Sequence, residues 1–237
     1  MPTGPLAVRW HDWSLEEVHA GAVATARVEL ENAGTVPWTN EIRLGYHWLD
    51  DRGNPLVWDG ERTHVPSLGP GERAVVEARV RGPIPPGRYG FALDLVAELR
   101  AWFSELGGEE LRTTVEVEPR DDPTHVELPA WVEKGPGWDE RVAATHAEGY
   151  AVVAGALAWE GGVFHPRPRA LAPYEPGPGR IPGFPHPLVC PSVVEGLRLE
   201  RLDDVAGLPA YAAPAEPWMY DGRIVLRARA RSGRRSA

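Results

Sequence analysis

The feature that most constrains the fold is a series of alternating apolar and polar runs between residues 22 and 118. In each run every second residue is apolar, which is the period of a β-strand with one buried and one solvated face. The clearest runs are 22–31, 42–48, 74–81, 88–95 and 111–118, and shorter strands are predicted near 6–13, 55–58 and 62–66. Seven or more short strands in about 115 residues predict an antiparallel β-sandwich.

Turn motifs separate these runs at the expected intervals. Residues 50–54 (Asp-Asp-Arg-Gly-Asn) contain the Gly and Asn that hairpin turns prefer. Residues 68–72 and 83–87 are rich in Gly and Pro, which interrupt strands, and 106–108 predicts another hairpin. The turns and strands together predict an immunoglobulin-like sandwich over residues 1–118.

The composition changes near Pro119. Residues 119–237 hold 16 of the 25 prolines. Within them we predict a helix over 139–148, a buried strand over 150–159 and a last strand from residue 224. Nine prolines in 166–191 predict that this segment has no regular structure. Residues 119–237 are therefore predicted to form a smaller, proline-rich α+β region.

The net charge of −9 is unevenly distributed along the chain. Residues 1–222 carry 19 basic and 34 acidic side chains, whereas residues 223–237 carry six Arg and no acid. An acidic body repels phosphate, which argues against general nucleic-acid binding. The basic C-terminal tail is predicted either to contact an acidic surface or to be an exposed edge strand whose charge prevents aggregation.

Several features predict a cytoplasmic protein without a transmembrane segment. Cys190 is the only cysteine, so no intrachain disulfide can form, and the first residues lack the pattern of a secretory signal. The longest apolar run, 150–159, is about half of what a membrane span needs. Arginine supplies 24 of the 25 basic residues, which is typical of a bacterial genome rich in G and C.

Four motifs carry a resemblance to known families: Asn32-x-Gly34-x-x-Pro37-Trp38, residues 70–72 (Pro-Gly-Glu), residues 86–89 (Pro-Gly-Arg-Tyr) and residues 102–103 (Trp-Phe). They resemble Ig-like domains of the four-tryptophan type, which occur in autophagy receptors and bacterial proteins. They are also similar to the C-terminal sandwich of polysaccharide-exporting ABC-transporter ATPases. Similar bacterial modules accompany enzymes of cell-envelope glycan synthesis. The resemblance covers about residues 6–118 and implies binding or scaffolding rather than catalysis.

The candidate ligand-binding residues are aromatic and charged side chains near strand ends. Residues 58–62 place Trp58, Asp59, Glu61 and Arg62 on one loop, and Trp38 ends a turn. An exposed indole stacks on sugar rings, and charged groups beside it bind hydroxyls. The alternative is that the indoles pack in the core and the loop is a solvated hairpin tip.

Catalytic and metal-binding motifs are not found in the sequence. There are no cysteine pairs, no helical His-x-x-x-His and no Gly-x-Ser-x-Gly, so we predict no catalytic residue, no metal site and no cofactor. Residues 148–155 resemble, faintly, a strand of family-2 glycosyltransferases, but the Asp-x-Asp motif of those enzymes is absent. An enzymatic alternative would place a site between the two halves, and its first candidate residues are Glu160, His165, His186 and Cys190.

The sequence therefore predicts a non-catalytic binding or scaffold protein. Its expected ligand is a glycan or a protein partner in bacterial cell-envelope polysaccharide assembly. The alternative is a glycosyltransferase-like or hydrolase-like enzyme.

Overall fold

The computed structural model describes residues 5–122, 132–159, 162–164, 180–181, 211–212 and 217–228. The chain divides into two compact units, residues 1–120 and 121–237. The described residues are mostly in β-strands, as predicted for the fold class.

The described residues of the first unit form ten strands. They are β1 Val8–Leu15, β2 Val18–His19, β3 Val23–Asn32, β4 Ile42–Leu49, β5 Pro55–Val57, β6 Thr63–His64, β7 Arg73–Arg81, β8 Gly87–Ala97, β9 Ala101–Trp102 and β10 Leu111–Glu118. One turn of 3-10 helix, Ser104–Leu106, follows β9. The five runs with the clearest alternation are thus confirmed as β3, β4, β7, β8 and β10.

These strands form two sheets. One has the order β1-β3-β7, and the other has the order β2-β10-β8-β4-β5, with β6 also paired to β4 and β9 to β8. β1 pairs antiparallel with β3, whereas β2 pairs parallel with β10, so the first stretch of chain passes from one sheet to the other. This switch and the antiparallel pairing of the remaining strands give an immunoglobulin-like sandwich.

The core lies between the two sheets and consists of the apolar residues of the alternating runs. Leu44, Tyr46 and Trp48 of β4 and Leu93 of β8 all belong to it. Two polar atoms of these side chains bond to the opposite sheet: Trp48 Nε1 donates to the carbonyl oxygen of Arg81 at 2.8 Å, and Tyr46 Oη accepts from its amide at 3.1 Å. The buried polar atoms of both side chains are therefore satisfied where they enter the core.

The expectation of one solvated face per strand is wrong for β4 and β8. Their outward-pointing residues include His47 and Asp94, and both are 0% exposed. Alternation predicted correctly which face points to the core, but it cannot show that another segment covers the polar face. The Asn-x-Gly-x-x-Pro-Trp motif, by contrast, lies where a turn was predicted.

Asn32 organises that turn. Its Nδ2 donates to the carbonyl oxygens of Val36 and Leu68, both at 2.9 Å, and its Oδ1 accepts from the amide of Gly34 at 3.0 Å. A β-carbon at Gly34 would lie 2.2 Å from the carbonyl oxygen of Pro5, so only glycine fits there. The motif therefore closes the end of the sandwich through one buried side chain.

The described part of the second unit contains a mixed sheet, one helix and a separate two-stranded ladder. The strands are β11 Val132–Lys134, β12 Val152–Trp159, β13 Gly162–Phe164, β14 Arg180–Ile181, β15 Tyr211–Ala212 and β16 Trp218–Ala228, and the helix is α1 Trp138–Ala147. The sheet has the order β11-β16-β12-β13, and β14 pairs with β15. Trp138, Val142 and His146 of α1 are buried.

The helix and β12 lie close to their predicted positions, whereas β16 begins at Trp218, before the predicted start at residue 224. A further prediction needs correction. Residues 166–191 were expected to lack regular structure, yet Arg180 and Ile181 pair with residues 211–212. Neither residue is a proline, so both amides remain available to a ladder. Among the described residues, no helix is long and apolar enough to cross a membrane.

Candidate binding site

The candidate site lies on the outer face of the seven-stranded sheet, where the chain between β5 and β6 covers β4. Both short strands pair with β4, whereas residues 58–62 between them leave the ladder. The amide of Gly60 donates to the carbonyl oxygen of Tyr46 at 3.1 Å, which ties the middle of this loop to the edge of the sheet. The loop therefore has a fixed position over the outward-pointing residues of β4.

Trp58 is the aromatic centre of the loop. Its indole stacks on the imidazole of His47, with ring centroids 4.2 Å apart and an angle of 16° between the planes. The side chain is nevertheless 44% exposed. One indole face thus rests on a buried ring while part of the side chain is open to solvent.

Trp102 and Arg62 complete the cover over His47. The Trp102 ring meets the imidazole edge-on at 4.4 Å, and the Arg62 guanidinium lies 4.2 Å from the centre of the Trp102 ring. Gly45 makes room for both, because a β-carbon there would lie 2.6 Å from Arg62 Nη1 and 2.8 Å from Trp102. The site therefore requires glycine at position 45 because of the close approach of two side chains.

Charged residues at the rim hold Arg62 in place. Asp59 forms an ion pair with Arg62 at 2.7 Å, and Glu98 lies 3.6 Å from its Nε. The Asp59 carboxylate is itself about two-thirds exposed. The surface around Trp58 thus offers acidic acceptors next to a positioned guanidinium.

Beneath this cover, Asp94 is a buried carboxylate with fixed orientation. Its Oδ2 accepts from the hydroxyl and the amide of Ser104 at 2.6 and 3.2 Å, and its Oδ1 accepts from the amide of Leu95 at 2.7 Å. Burial raises the pKa of Asp94 above its ordinary value, although these hydrogen bonds oppose the shift. Among the described residues, no Lys, Arg or His side chain forms an ion pair with Asp94 within 4.0 Å.

His47 is held in one tautomer. Its Nδ1 faces the carbonyl oxygen of Trp58, which can only accept, so Nδ1 carries a proton. Burial lowers the pKa of His47 and favours the neutral ring. In that form Nε2 has a lone pair, and Nε2 is buried without a hydrogen-bond partner among the described residues.

The structure brings together some of the predicted binding residues and separates others. Trp58, Asp59 and Arg62 meet at the site. Glu61 points toward β7, where its carboxylate lies 3.8 Å from Arg79. Trp38 is 1% exposed and packs edge-on against Phe103 in the core, with ring centroids 5.7 Å apart. Glu160, His165, His186 and Cys190, the residues of the enzymatic alternative, lie outside the described residues.

Sequence reasoning missed four members of the site: His47, Asp94, Trp102 and Ser104. His47 was interpreted as a solvated residue of an alternating strand, and Trp102 as a packing aromatic. The signal that was available is Asp94, because it is the one charged residue in the otherwise apolar run 91–97. A carboxylate in such a run needs polar partners from elsewhere in the fold.

No protein-family model matches this sequence, and no curated protein matches it. Among solved structures, the C-terminal domain of Wzt is 10% identical with a TM-score of 0.35, over 48% of this chain and 74% of that domain. A CARDB domain from Pyrococcus furiosus is 18% identical with a TM-score of 0.28, over 47% of this chain and 91% of the other. A β-glucosidase from Listeria innocua is 15% identical with a TM-score of 0.31, over 46% of this chain and 15% of the enzyme.

Proposed function

We propose that the first unit is a binding module that recognises a glycan through the loop of residues 58–62. The observation that carries the proposal is the position of Trp58, which is stacked on His47 and still 44% exposed. A sugar ring presents an apolar C–H face to an indole and hydroxyl groups at its edge. An indole that is already ordered loses little side-chain entropy on binding.

The polar groups around Trp58 support the same ligand class. Asp59 is an exposed acceptor for hydroxyl protons, and the Arg62 guanidinium supplies donors. The loop is joined to a rigid sandwich, which is how many binding surfaces are built. The sequence resemblance supports cell-envelope polysaccharide assembly as the setting, in a bacterial cytoplasm.

Isothermal titration against a panel of bacterial cell-envelope oligosaccharides tests the proposal. We expect Trp58→Ala to weaken binding about tenfold or more, which corresponds to about 1.4 kcal/mol, because the stacking face is lost. Trp58→Phe should retain most of the affinity. Val75→Ala is the control, since Val75 is 49% exposed on the three-stranded sheet.

Two outcomes would contradict glycan recognition. One is the absence of binding to every oligosaccharide, and the other is equal affinity in the Trp58→Ala and wild-type proteins. A stoichiometric protein that co-purifies with the wild-type chain but not with Trp58→Ala would instead identify the loop as a protein-binding surface.

A further inference from the structure

The buried groups beneath Trp58 have a geometry that the glycan proposal does not use. His47, Asp94 and Glu110 each place one possible ligand atom within 4.8 Å of those of the other two. His47 and Asp94 are fully buried, and Glu110, immediately before β10, is partly buried. Three strands or their ends thus deliver an imidazole and two carboxylates to one place.

The unpartnered nitrogen of His47 points to a missing ligand. A buried nitrogen with an unused lone pair is costly, and buried polar atoms in folded proteins almost always have a partner. Here Nδ1 is occupied by the Trp58 carbonyl, so Nε2 is the atom without one. A histidine that binds a metal through one nitrogen usually donates its other N–H to a carbonyl or carboxylate, as His47 does.

Hydrogen bonds also orient the two carboxylates of this cluster, Asp94 and Glu110. Asp94 is held by Ser104 and by the amide of Leu95, and its Oδ1, which accepts only the Leu95 bond, retains a lone pair. Glu110 uses Oε1 for Arg112, which leaves its other oxygen. Trp10 Nε1 donates to the carbonyl oxygen of Glu109 at 2.7 Å and fixes the backbone beside Glu110.

We propose that His47 Nε2, Asp94 and Glu110 bind one divalent transition-metal ion of the zinc class. One nitrogen and two carboxylate oxygens are suitable first ligands for such an ion, and water completes a tetrahedral set. Ligand atoms of a tetrahedral ion at 2.0–2.2 Å are about 3.4 Å apart, so these atoms, now up to 4.8 Å apart, need to approach one another by at most about 1.4 Å. The Arg62 guanidinium is balanced by Asp59 and Glu98, so Asp94 and the Glu110 oxygen that does not pair with Arg112 remain for the ion.

Metal binding by the full-length protein, with no sugar present, tests this inference. We expect one Zn²⁺ per chain by isothermal titration and a rise in melting temperature when Zn²⁺ is added to metal-free protein. Co²⁺ should give the visible absorption of a low-coordinate site with nitrogen and oxygen ligands. Trp58 and Trp102 contact His47, so their fluorescence should change in the same titration.

Variants separate this site from adventitious binding. Glu110→Gln and Asp94→Asn keep the side-chain shape and should weaken Zn²⁺ binding about tenfold or more. Glu109→Gln changes the exposed neighbour and should bind like the wild type. Glu110 is only partly buried, so its variant remains informative if Asp94→Asn does not fold.

The inference is overturned if Zn²⁺ produces neither heat nor a shift in melting temperature. It is equally overturned if Glu110→Gln binds Zn²⁺ as tightly as the wild type. Glycan titrations in the presence of EDTA keep the two proposals distinguishable, because each can fail while the other holds.

Discussion

Single residues decide how the outer faces of this sandwich are built, and Glu31 is the clearest case on the three-stranded sheet. It is 8% exposed and accepts hydrogen bonds from Arg9 at 2.7 Å, His11 at 2.8 Å and Arg73 at 3.1 Å. Arg9 and His11 are two positions apart on β1, so both reach the same face. One carboxylate therefore connects β1, β3 and β7.

Replacement of this carboxylate should have an effect that depends on pH. The hydrogen bond from His11, followed by the charges of Arg9 and Arg73, holds the pKa of Glu31 below its ordinary value of 4.5. A lowered folded-state pKa stabilises the fold above about pH 4.5, and this contribution disappears as the pH falls through the lowered value. The free energy of unfolding of the wild type should therefore be higher than that of Glu31→Gln at neutral pH. The difference should shrink as the pH falls into the acid range.

Urea unfolding over a pH series measures this difference. Glu77→Gln is the control, because Glu77 is an exposed glutamate on β7. A gap between wild type and Glu31→Gln that stays constant from neutral pH to below pH 4 would contradict the assignment.

At the scale of elements, the turn after β3 shows a local motif that stabilises a long-range contact. Asn32 bonds to Val36 within the turn and to Leu68 before β7. Trp38 and Leu68 also exchange backbone hydrogen bonds at 2.8 and 3.2 Å. The turn therefore fixes where the chain enters β4 and where it approaches β7.

Removal of the Asn32 amide should destabilise the protein. In Asn32→Ala the carbonyl oxygens of Val36 and Leu68 and the Gly34 amide each lose a hydrogen bond, and the bonds of Leu68 and Gly34 are buried, so we expect a loss of about 2–3 kcal/mol. The matched control is Asn54→Ala in the exposed hairpin, where a loss of about 0.5 kcal/mol or less is expected. Urea denaturation compares the two, and equal losses would contradict this role for Asn32.

The same elements show what sequence can and cannot predict. Turn motifs and strand alternation depend on neighbouring residues. The sequence could therefore identify the turn over residues 32–38 and the inward positions of Trp48 and Leu93. The arrangement over the outer face of β4 brings together residues 47, 62, 94 and 102, which belong to β4, the loop before β6, β8 and β9. No short sequence pattern encodes that contact. A residue such as His47 has the same place in the alternation whether water or an indole lies above it.

On the scale of the whole molecule, we predict that the first unit folds without the rest of the chain. Among the described residues, its two sheets pair strands between Val8 and Glu118, and its buried core cluster consists of residues from the same range. About 120 residues are enough to bury a core without disulfides or metals.

Residues 1–120 expressed alone should therefore fold. We expect a single cooperative urea transition and dispersed amide NMR signals, with the methyl resonances of Leu93 and Val28 shifted as in the full chain. Failure of this fragment to fold, while the full-length protein is folded, would show that residues 121–237 contribute to its stability.

Gly45 has an evolutionary consequence. The residues on either side of it, Leu44 and Tyr46, face the core, whereas the space above Gly45 is filled by Arg62 and Trp102. A single added methyl group would displace Arg62 and Trp102 on the outer face, whereas Leu44 and Tyr46 would keep their places in the core. Selection can therefore retune or silence the outer surface in small steps while the scaffold persists, which is the property that allows one fold to acquire many specificities.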